Sequence, residues 1–182
     1  MTEKWIRQAR KAILSSLWMK VYKDSYLLPN NHFIPDYYIW EGSDAALCVC
    51  QIDDQALLVR QYRPGVEKST LCHPGGRLDP ADPSPLAGAV RELLEETGYS
   101  PRSTISLGSF AQIPAISPNH VHIFLVTCEK NPASQPQCDE SENIDAKLVS
   151  LADLPSLIRS GEMDCVACVA ASYLALSRTG LK

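Results

Sequence analysis

No apolar run in this 182-residue chain approaches the roughly 20 residues that a helix needs to cross a bilayer. Its opening stretch, Met1 to Lys11, is charged and lacks the apolar core of a secretory signal, so cytoplasmic residence is the expectation. Positive charge is not in excess: the formal net charge is −4, which gives no electrostatic case for binding nucleic acid or an anionic membrane. Internal repeats and long linkers are missing too, which leaves one domain over residues 1–182. Cys165 and Cys168 have CxxC spacing, but no second such pair and no nearby histidine pair completes a zinc site. Nor is the cysteine count even. Seven thiols in a chain long enough to build its own core argue for reduced cysteines in a reducing compartment. Cys48 and Cys50 read as one face of a buried strand, and Cys165 and Cys168 open an apolar helix; all four are expected to be core thiols.

What is present is ordinary for a globular protein. At 45% hydrophobic and 21% charged residues the chain can bury a sizeable core. Trp5, Ala9, Ala12, Ile13 and Leu17 follow a helical spacing and predict an N-terminal helix over residues 1–17. Strand patterns follow from Trp18 to Leu28 and from Tyr37 to Trp40, with a turn at Pro29-Asn30-Asn31. Ala45 to Ile52 and Gln55 to Tyr62 form a hairpin about Asp53-Asp54. Ile105 to Ile113, Val121 to Glu129 and Ala146 to Leu151 predict further strands, and Asn131 to Glu142 a polar loop. Helices are expected at Asp153 to Ser160 and Asp164 to Ser177.

The densest chemical signal lies in Arg91-Glu92-Leu93-Leu94-Glu95-Glu96-Thr97-Gly98-Tyr99. On a helix, residues three and four apart are neighbours, so Glu92, Glu95 and Glu96 share one face. Leu86, Val90, Leu93 and Leu94 are expected to point the other way. Three like charges repel unless a cation or a positive side chain sits among them, and hard oxygen ligands of this kind suit Mg²⁺. Ser84 fits the N-cap, Pro85 the first helical position and Gly98 the C′ position. A turn-rich loop, His73-Pro74-Gly75-Gly76-Arg77-Leu78-Asp79-Pro80, precedes the helix. An acidic helix face is often no more than a solvated surface, but that reading leaves the glycine loop and the paired caps unexplained.

This segment resembles the Nudix box, whose family pattern is G-x5-E-x7-R-E-U-x-E-E-x-G-U with U aliphatic. The second half matches at each fixed position, with Tyr99 at the closing apolar site. The first half departs: the family's first glutamate falls on Asp82 when counted from Gly76, and on Pro83 when counted back from Arg91. The resemblance implies an α/β/α sandwich with a mixed sheet and an acidic catalytic helix. Within it, residues 18–44 would hold N-terminal strands and residues 45–178 the catalytic core.

Beyond the box, Leu57-Leu58-Val59-Arg60-Gln61-Tyr62-Arg63 is similar to a strand of the ADP-ribose pyrophosphatases and their nucleotide-sugar relatives. Pro114, Ser117-Pro118 and the acidic run Asp139-Glu140-Ser141-Glu142 match further marks of that branch. In those relatives a glutamate stands two residues before the proline of the glycine loop, where this chain has Cys72. His120 and His122 alternate on a strand, which suggests one facing the cleft and the other the sheet or solvent.

The resemblance implies a Mg²⁺-dependent hydrolase, with Mn²⁺ as a substitute. Glu92 and Glu96 would be the principal metal ligands, with Glu95 as the third. Arg91 would orient a glutamate, and Glu142 or Glu140 would supply a late ligand or general base. Arg63, Arg60, Gly75, Gly76 and Pro114 would line the substrate, a glycine-turn carbonyl completing the coordination shell. Gly88 would leave room for metal or phosphate. The implied substrate is ADP-ribose or a similar nucleotide sugar. Alternatives are another sugar nucleotide or dinucleotide, and a nucleotide-binding regulator with weakened catalysis. Relatives of this kind often pair as homodimers through aromatic-rich N-terminal strands such as those here.

Overall fold

The computed structural model describes residues 3–130 and 144–179. Its contacts divide the chain into two compact units, Met1–Asp44 with Ala111–His120, and Ala45–Phe110 with Val121–Lys182. Glu140 and Glu142 lie outside the described residues.

The first unit is an antiparallel sheet of β1 (Ile6–Ser15), β2 (Lys20–Leu27) and β3 (Phe33–Glu41). The helix expected over residues 1–17 is therefore a strand. The reason lies in the register. Irregularities between Arg7 and Ala9, and between Ala12 and Leu14, interrupt the two-residue alternation and leave apolar side chains at helix-like spacing. All ten residues of β1 are exposed, so no apolar stripe is available to dock a helix. Ion pairing holds the sheet instead. Asp24, fully buried, accepts hydrogen bonds from Arg10 Nε at 2.9 Å, Arg10 Nη2 at 2.8 Å and the Tyr26 hydroxyl at 3.0 Å. Residues 111–120 fold against this sheet: Trp40 N–H donates to Ile116 O at 3.0 Å, and Gly42 exchanges hydrogen bonds with the Asn119 side chain at 2.9 and 2.6 Å.

The second unit carries β4 (Ala45–Ile52), β5 (Gln55–Arg63), β6 (Lys68–Cys72), β7 (Gly75–Arg77), β8 (Tyr99–Ala111), β9 (His120–Lys130) and β10 (Ile144–Ser150). Its helices are α1 (Pro85–Thr97), α2 (Leu154–Arg159) and α3 (Val166–Thr179). The sheet order is β10-β5-β4-β9-β8, with β6 paired to β5 and β7 to β4. The β4–β9 pairing is parallel and the β4–β5 pairing antiparallel, so the sheet is mixed.

β4 shows why this sequence makes three layers. Ala46, Cys48 and Cys50 pack with Ala89 and Leu93 of α1, while Leu47 and Val49 pack with Cys168 and Ala171 of α3. A strand covered on both faces has apolar residues in succession rather than alternation, as Ala45-Ala46-Leu47-Cys48-Val49-Cys50 does. The result is an α/β/α arrangement around a mixed sheet. Among the described residues no helix is long and apolar enough to cross a membrane.

Candidate active site

Helix α1 begins and ends where its sequence dictates. The Ser84 hydroxyl accepts from Ala87 N–H at 3.1 Å, and Gly98 closes the helix at φ 72° with its N–H on Leu94 O at 2.9 Å. Its faces are divided differently from the expectation. Leu93 is fully buried but Leu94 is exposed, and Glu96, on the acidic side, is buried. Glu96 can be buried because it has a partner. Its Oε2 accepts a hydrogen bond from Gly75 N–H at 2.9 Å.

That partner lies on β7, so part of the expected glycine loop is a strand, paired to β4 through Leu47↔Gly75 and Ala46↔Gly76. Both glycines are closely approached, Gly75 by backbone and Gly76 by a side chain. Gly75 has φ +145°, and a Cβ there would strike the Ala46 carbonyl and sit 2.9 Å from Leu47 Cα. At Gly76 a Cβ would lie 2.7 Å from Glu92 Cδ. The two carboxylates one helical turn apart thus abut two consecutive glycines.

Arg91 organises the remaining charges. Its Nη1 lies 2.9 Å from Glu95 Oε2 and 3.0 Å from Glu92 Oε1, and its Nε donates to Asp82 Oδ1 at 3.1 Å. Nη2 donates to Asp82 Oδ2 at 3.2 Å, which makes the Asp82 contact a two-point fork. The hydrogen bonds from Arg91 hold the Asp82 carboxyl below its ordinary range, and Asp82 in turn raises the Arg91 pKa. Asp82 also accepts from Asp79 N–H at 2.8 Å, fixing the loop that leads into α1. Where the box pattern departs from its family, the shorter carboxylate therefore still meets the arginine. Gly88 leaves no space for metal or phosphate: a Cβ there would meet Leu78 Cδ2 at 2.5 Å and Asp82 Oδ2 at 2.6 Å.

Arg60 pairs with Glu162 at 2.7 Å. Arg63 ends β5 and lines a pocket of about 440 Å³ with Leu47, Thr70, Cys72 and His73. Pro114 belongs to the first unit. His120 and His122 are both half-buried while Val121 between them is buried, because residues two apart on a strand share a face. They do not face opposite ways. Cys48, Cys50 and Cys168 are buried thiols, but Cys165 is exposed and is not a core residue. Sequence reasoning also passed over His73, fully buried with Nε2 2.8 Å from Ser172 Oγ. Burial lowers its pKa to about 4.

Among the described residues no three His, Cys, Asp or Glu side chains are gathered closely enough to hold a metal ion alone. The donors that do converge on β7, the carboxylates of Glu92 and Glu96, are hard oxygens. They fit a divalent cation of the Mg²⁺ kind, which takes one or two protein carboxylates and completes its shell with water and phosphate oxygens.

The model of the NUDIX domain family matches residues 42–165, more than half of the chain. The ADP-ribose pyrophosphatase of Bacillus subtilis (strain 168) is 27% identical over 169 residues, covering 92% of this chain and 91% of that protein. A methanol dehydrogenase activator of Bacillus methanolicus is 27% identical over 165 residues, covering 90% and 89% respectively. The crystal structure of an ADP compounds hydrolase superposes with a TM-score of 0.85 at 22% identity, over 99% of this chain and 98% of the other. At that identity the likeness is one of fold. With the box residues seated on β7 and the family matched across β4 to the start of α3, the chain belongs to the Nudix family, as a pyrophosphohydrolase resembling the ADP-ribose pyrophosphatases.

Proposed function

We propose that this Nudix hydrolase splits the diphosphate of ADP-ribose or a similar nucleotide sugar, giving a nucleoside monophosphate and a sugar phosphate, with Mg²⁺ as its cation and Mn²⁺ as a substitute. The observation that carries this reading is the seating of Glu96 and Glu92 against Gly75 and Gly76, which brings two carboxylates to consecutive residues of one strand. A diphosphate resists hydrolysis because its own oxygens repel the incoming nucleophile. A bound divalent cation supplies the missing charge neutralisation and lowers the pKa of a coordinated water.

The chain's own residues do the rest. Glu92 and Glu96 would hold the cation, with Glu95 and Glu142 as further candidates. Gly75 N–H fixes the rotamer of Glu96. Arg91 keeps Glu92 and Glu95 in place, acting through them as a positioning residue. Arg63, which lines its pocket, offers a planar fork for anionic oxygens. Glu140 or Glu142 would serve as the base. A cysteine at position 72 in that pocket favours, as a second reading, a different nucleotide sugar or dinucleotide.

The test is hydrolysis of ADP-ribose, ADP-glucose, GDP-mannose, NADH and a diadenosine polyphosphate, with Mg²⁺ and with chelator. Metal-dependent turnover of ADP-ribose above the others supports the proposal, and preference for another compound selects the second reading. Binding of ADP-ribose without turnover of any compound would replace the hydrolase with a regulator.

Homodimer formation through the first unit belongs to the same proposal. The outer strand β1 is exposed throughout, and Leu17 and Trp18 are 91% and 67% exposed. An open edge beside apolar side chains favours pairing with a second copy. Light scattering that returned a monomer at micromolar concentration would remove it. Six free thiols among the described residues support the further placing of the protein in the cytoplasm. A signal from fractionation outside that compartment would overturn the placing.

A further inference from the structure

Three thiols meet at the Arg63 pocket, and nothing in the hydrolytic chemistry uses them. Cys72 ends β6, Cys165 stands at the start of α3 and Cys168 lies in its first turn; all three line the same pocket of about 440 Å³. Their environments differ. Cys165 is exposed, whereas Cys72 and Cys168 are 3% and 1% exposed. Cys165 and Cys168 stand three residues apart at the helix start, a spacing that makes them neighbours on one face, and Cys72 lines the pocket with them. Ala167 and Cys168 lie in the first turn of α3, where a helix leaves its backbone N–H groups without intrahelical partners, and those groups favour a negative charge on the Cys165 sulfur.

Charge around Cys165 follows from these contacts. The hydrogen bond from Cys168, the two N–H groups and the nearby Arg63 lower its pKa to about 5. Asp164, its neighbour, does not oppose this strongly, because Lys68 pairs with it at 2.6 Å and Thr70 donates to it at 2.8 Å. Cys168 is driven the other way, upward, by its two sulfur neighbours and by burial. A thiol retained only for packing would be buried, as Cys168 is, whereas Cys165 is exposed.

Two further observations bear on what the cluster does. His73 lines the pocket, and its fully buried Nδ1 has no hydrogen-bond partner. Metal binding by the cluster is not supported, since among the described residues no three such side chains are spaced to hold an ion. The sulfurs are left to their own chemistry.

We propose that Cys165 and Cys168 form a reversible redox pair, in which Cys165 attacks a small hydroperoxide and Cys168 resolves the product into a disulfide. In the first step the Cys165 sulfur forms a bond to the terminal peroxide oxygen, the O–O bond breaks, and the remainder leaves as water or an alcohol after taking a proton. Cys165 is oxidised by two electrons to a sulfenic acid and the peroxide is reduced. In the second step the Cys168 sulfur bonds to the Cys165 sulfur, the S–O bond breaks, and hydroxide leaves as water with the Cys168 proton. One peroxide and two thiols give one disulfide, one water and one further water or alcohol. A dithiol reductant reverses the change through a mixed disulfide.

The experiment treats the reduced full-length protein with stoichiometric hydrogen peroxide, blocks the remaining thiols and maps them by mass spectrometry. The expected result is a Cys165–Cys168 disulfide, a loss of about two mass units, which a dithiol restores. In Cys168→Ser, Cys165 should instead accumulate as a sulfenic acid that a cyclic dione traps. In Cys165→Ser, neither product should form. Competitive alkylation of the untreated protein provides a readout free of any variant: Cys165 should react about 10-fold or more faster than Cys48 or Cys50. Equal reactivity of these thiols, a different disulfide, or one that persists in Cys165→Ser overturns the proposal.

Discussion

Gly75 donates its backbone N–H to the Glu96 carboxylate across 2.9 Å, so that a strand and a helix meet through one charge-assisted hydrogen bond. Glu96→Gln keeps an oxygen acceptor for that N–H but loses the charge a cation needs. Activity should fall by at least about 100-fold while the melting temperature stays near that of the parent. Parallel measurement of turnover and thermal unfolding checks both halves, and an active variant would remove Glu96 from the site.

The neighbouring glycines separate function from folding. Gly76→Ala meets only the far end of Glu92, which can rotate away, so the fold should survive while turnover drops. Gly75→Ala meets the Ala46 backbone at a φ of +145°, where an added Cβ is strained and cannot move aside. It should unfold several degrees lower or fail to express. Circular dichroism and kinetics on the pair would show the split, and equal loss of stability in both would contradict it.

Arg91 and Asp82 act on the site at one remove. Arg91→Ala should weaken activity about 10- to 100-fold and raise the metal concentration needed for half-maximal turnover. Asp82→Ala should follow it in direction, and Asp82→Glu should restore most of the loss, since a longer carboxylate still reaches the fork. A metal titration that is unchanged in Arg91→Ala would limit this arginine to surface ion pairing.

His73 makes stability depend on pH. Its pKa is lowered by burial to about 4 from 6.5, so between those values the unfolded chain takes up a proton that the native chain refuses. The resulting stability is fully present above pH 6.5 and declines as pH falls toward 4, by up to about 3 kcal/mol. Urea unfolding of metal-free protein at neutral pH and near pH 5 measures the slope. His73→Gln should flatten it, and an unaltered slope would assign the dependence elsewhere.

Asp24 opposes acid in a different range. Arg10, by hydrogen bonding first of all, holds its carboxyl below the ordinary value, so its contribution persists above about pH 4 and is lost only as pH falls through the lowered pKa. Asp24→Ala leaves Arg10 only its Glu41 contact and should destabilise the protein by about 1–3 kcal/mol, less than for a wholly buried pair because Arg10 is 27% exposed. Thermal unfolding of the variant within 1 °C of the parent would argue against it.

Sequence alone made the box and the central hairpin legible, for identifiable reasons. Ser84, Pro85 and Gly98 are local signals that no distant contact reversed. The hairpin about Asp53-Asp54 likewise depends on its own turn, with Asp53 at φ 52°. What failed was periodicity read without register: two irregularities in β1 made a strand resemble a helix. Burial of Glu96 was invisible because its partner is a backbone N–H twenty-one residues upstream. The exposure of Cys165 was hidden by its apolar company, Val166, Ala167 and Cys168, which says nothing about which end of a helix faces a pocket.

The segment Ala111–His120 groups with Met1–Asp44 and holds it through Trp40, Gly42 and Tyr37. The hydrogen bonds that Ile116, Asn119 and Ala115 supply are encoded well downstream of the strands they complete. On a ribosome, β1, β2 and β3 therefore emerge long before the peptide that finishes their unit, and they must wait unfinished while much of the second unit is synthesised. A gene fragment stopped after Asp44 encodes a sheet without that closing peptide, so the first unit cannot be lifted out of this gene as one continuous piece.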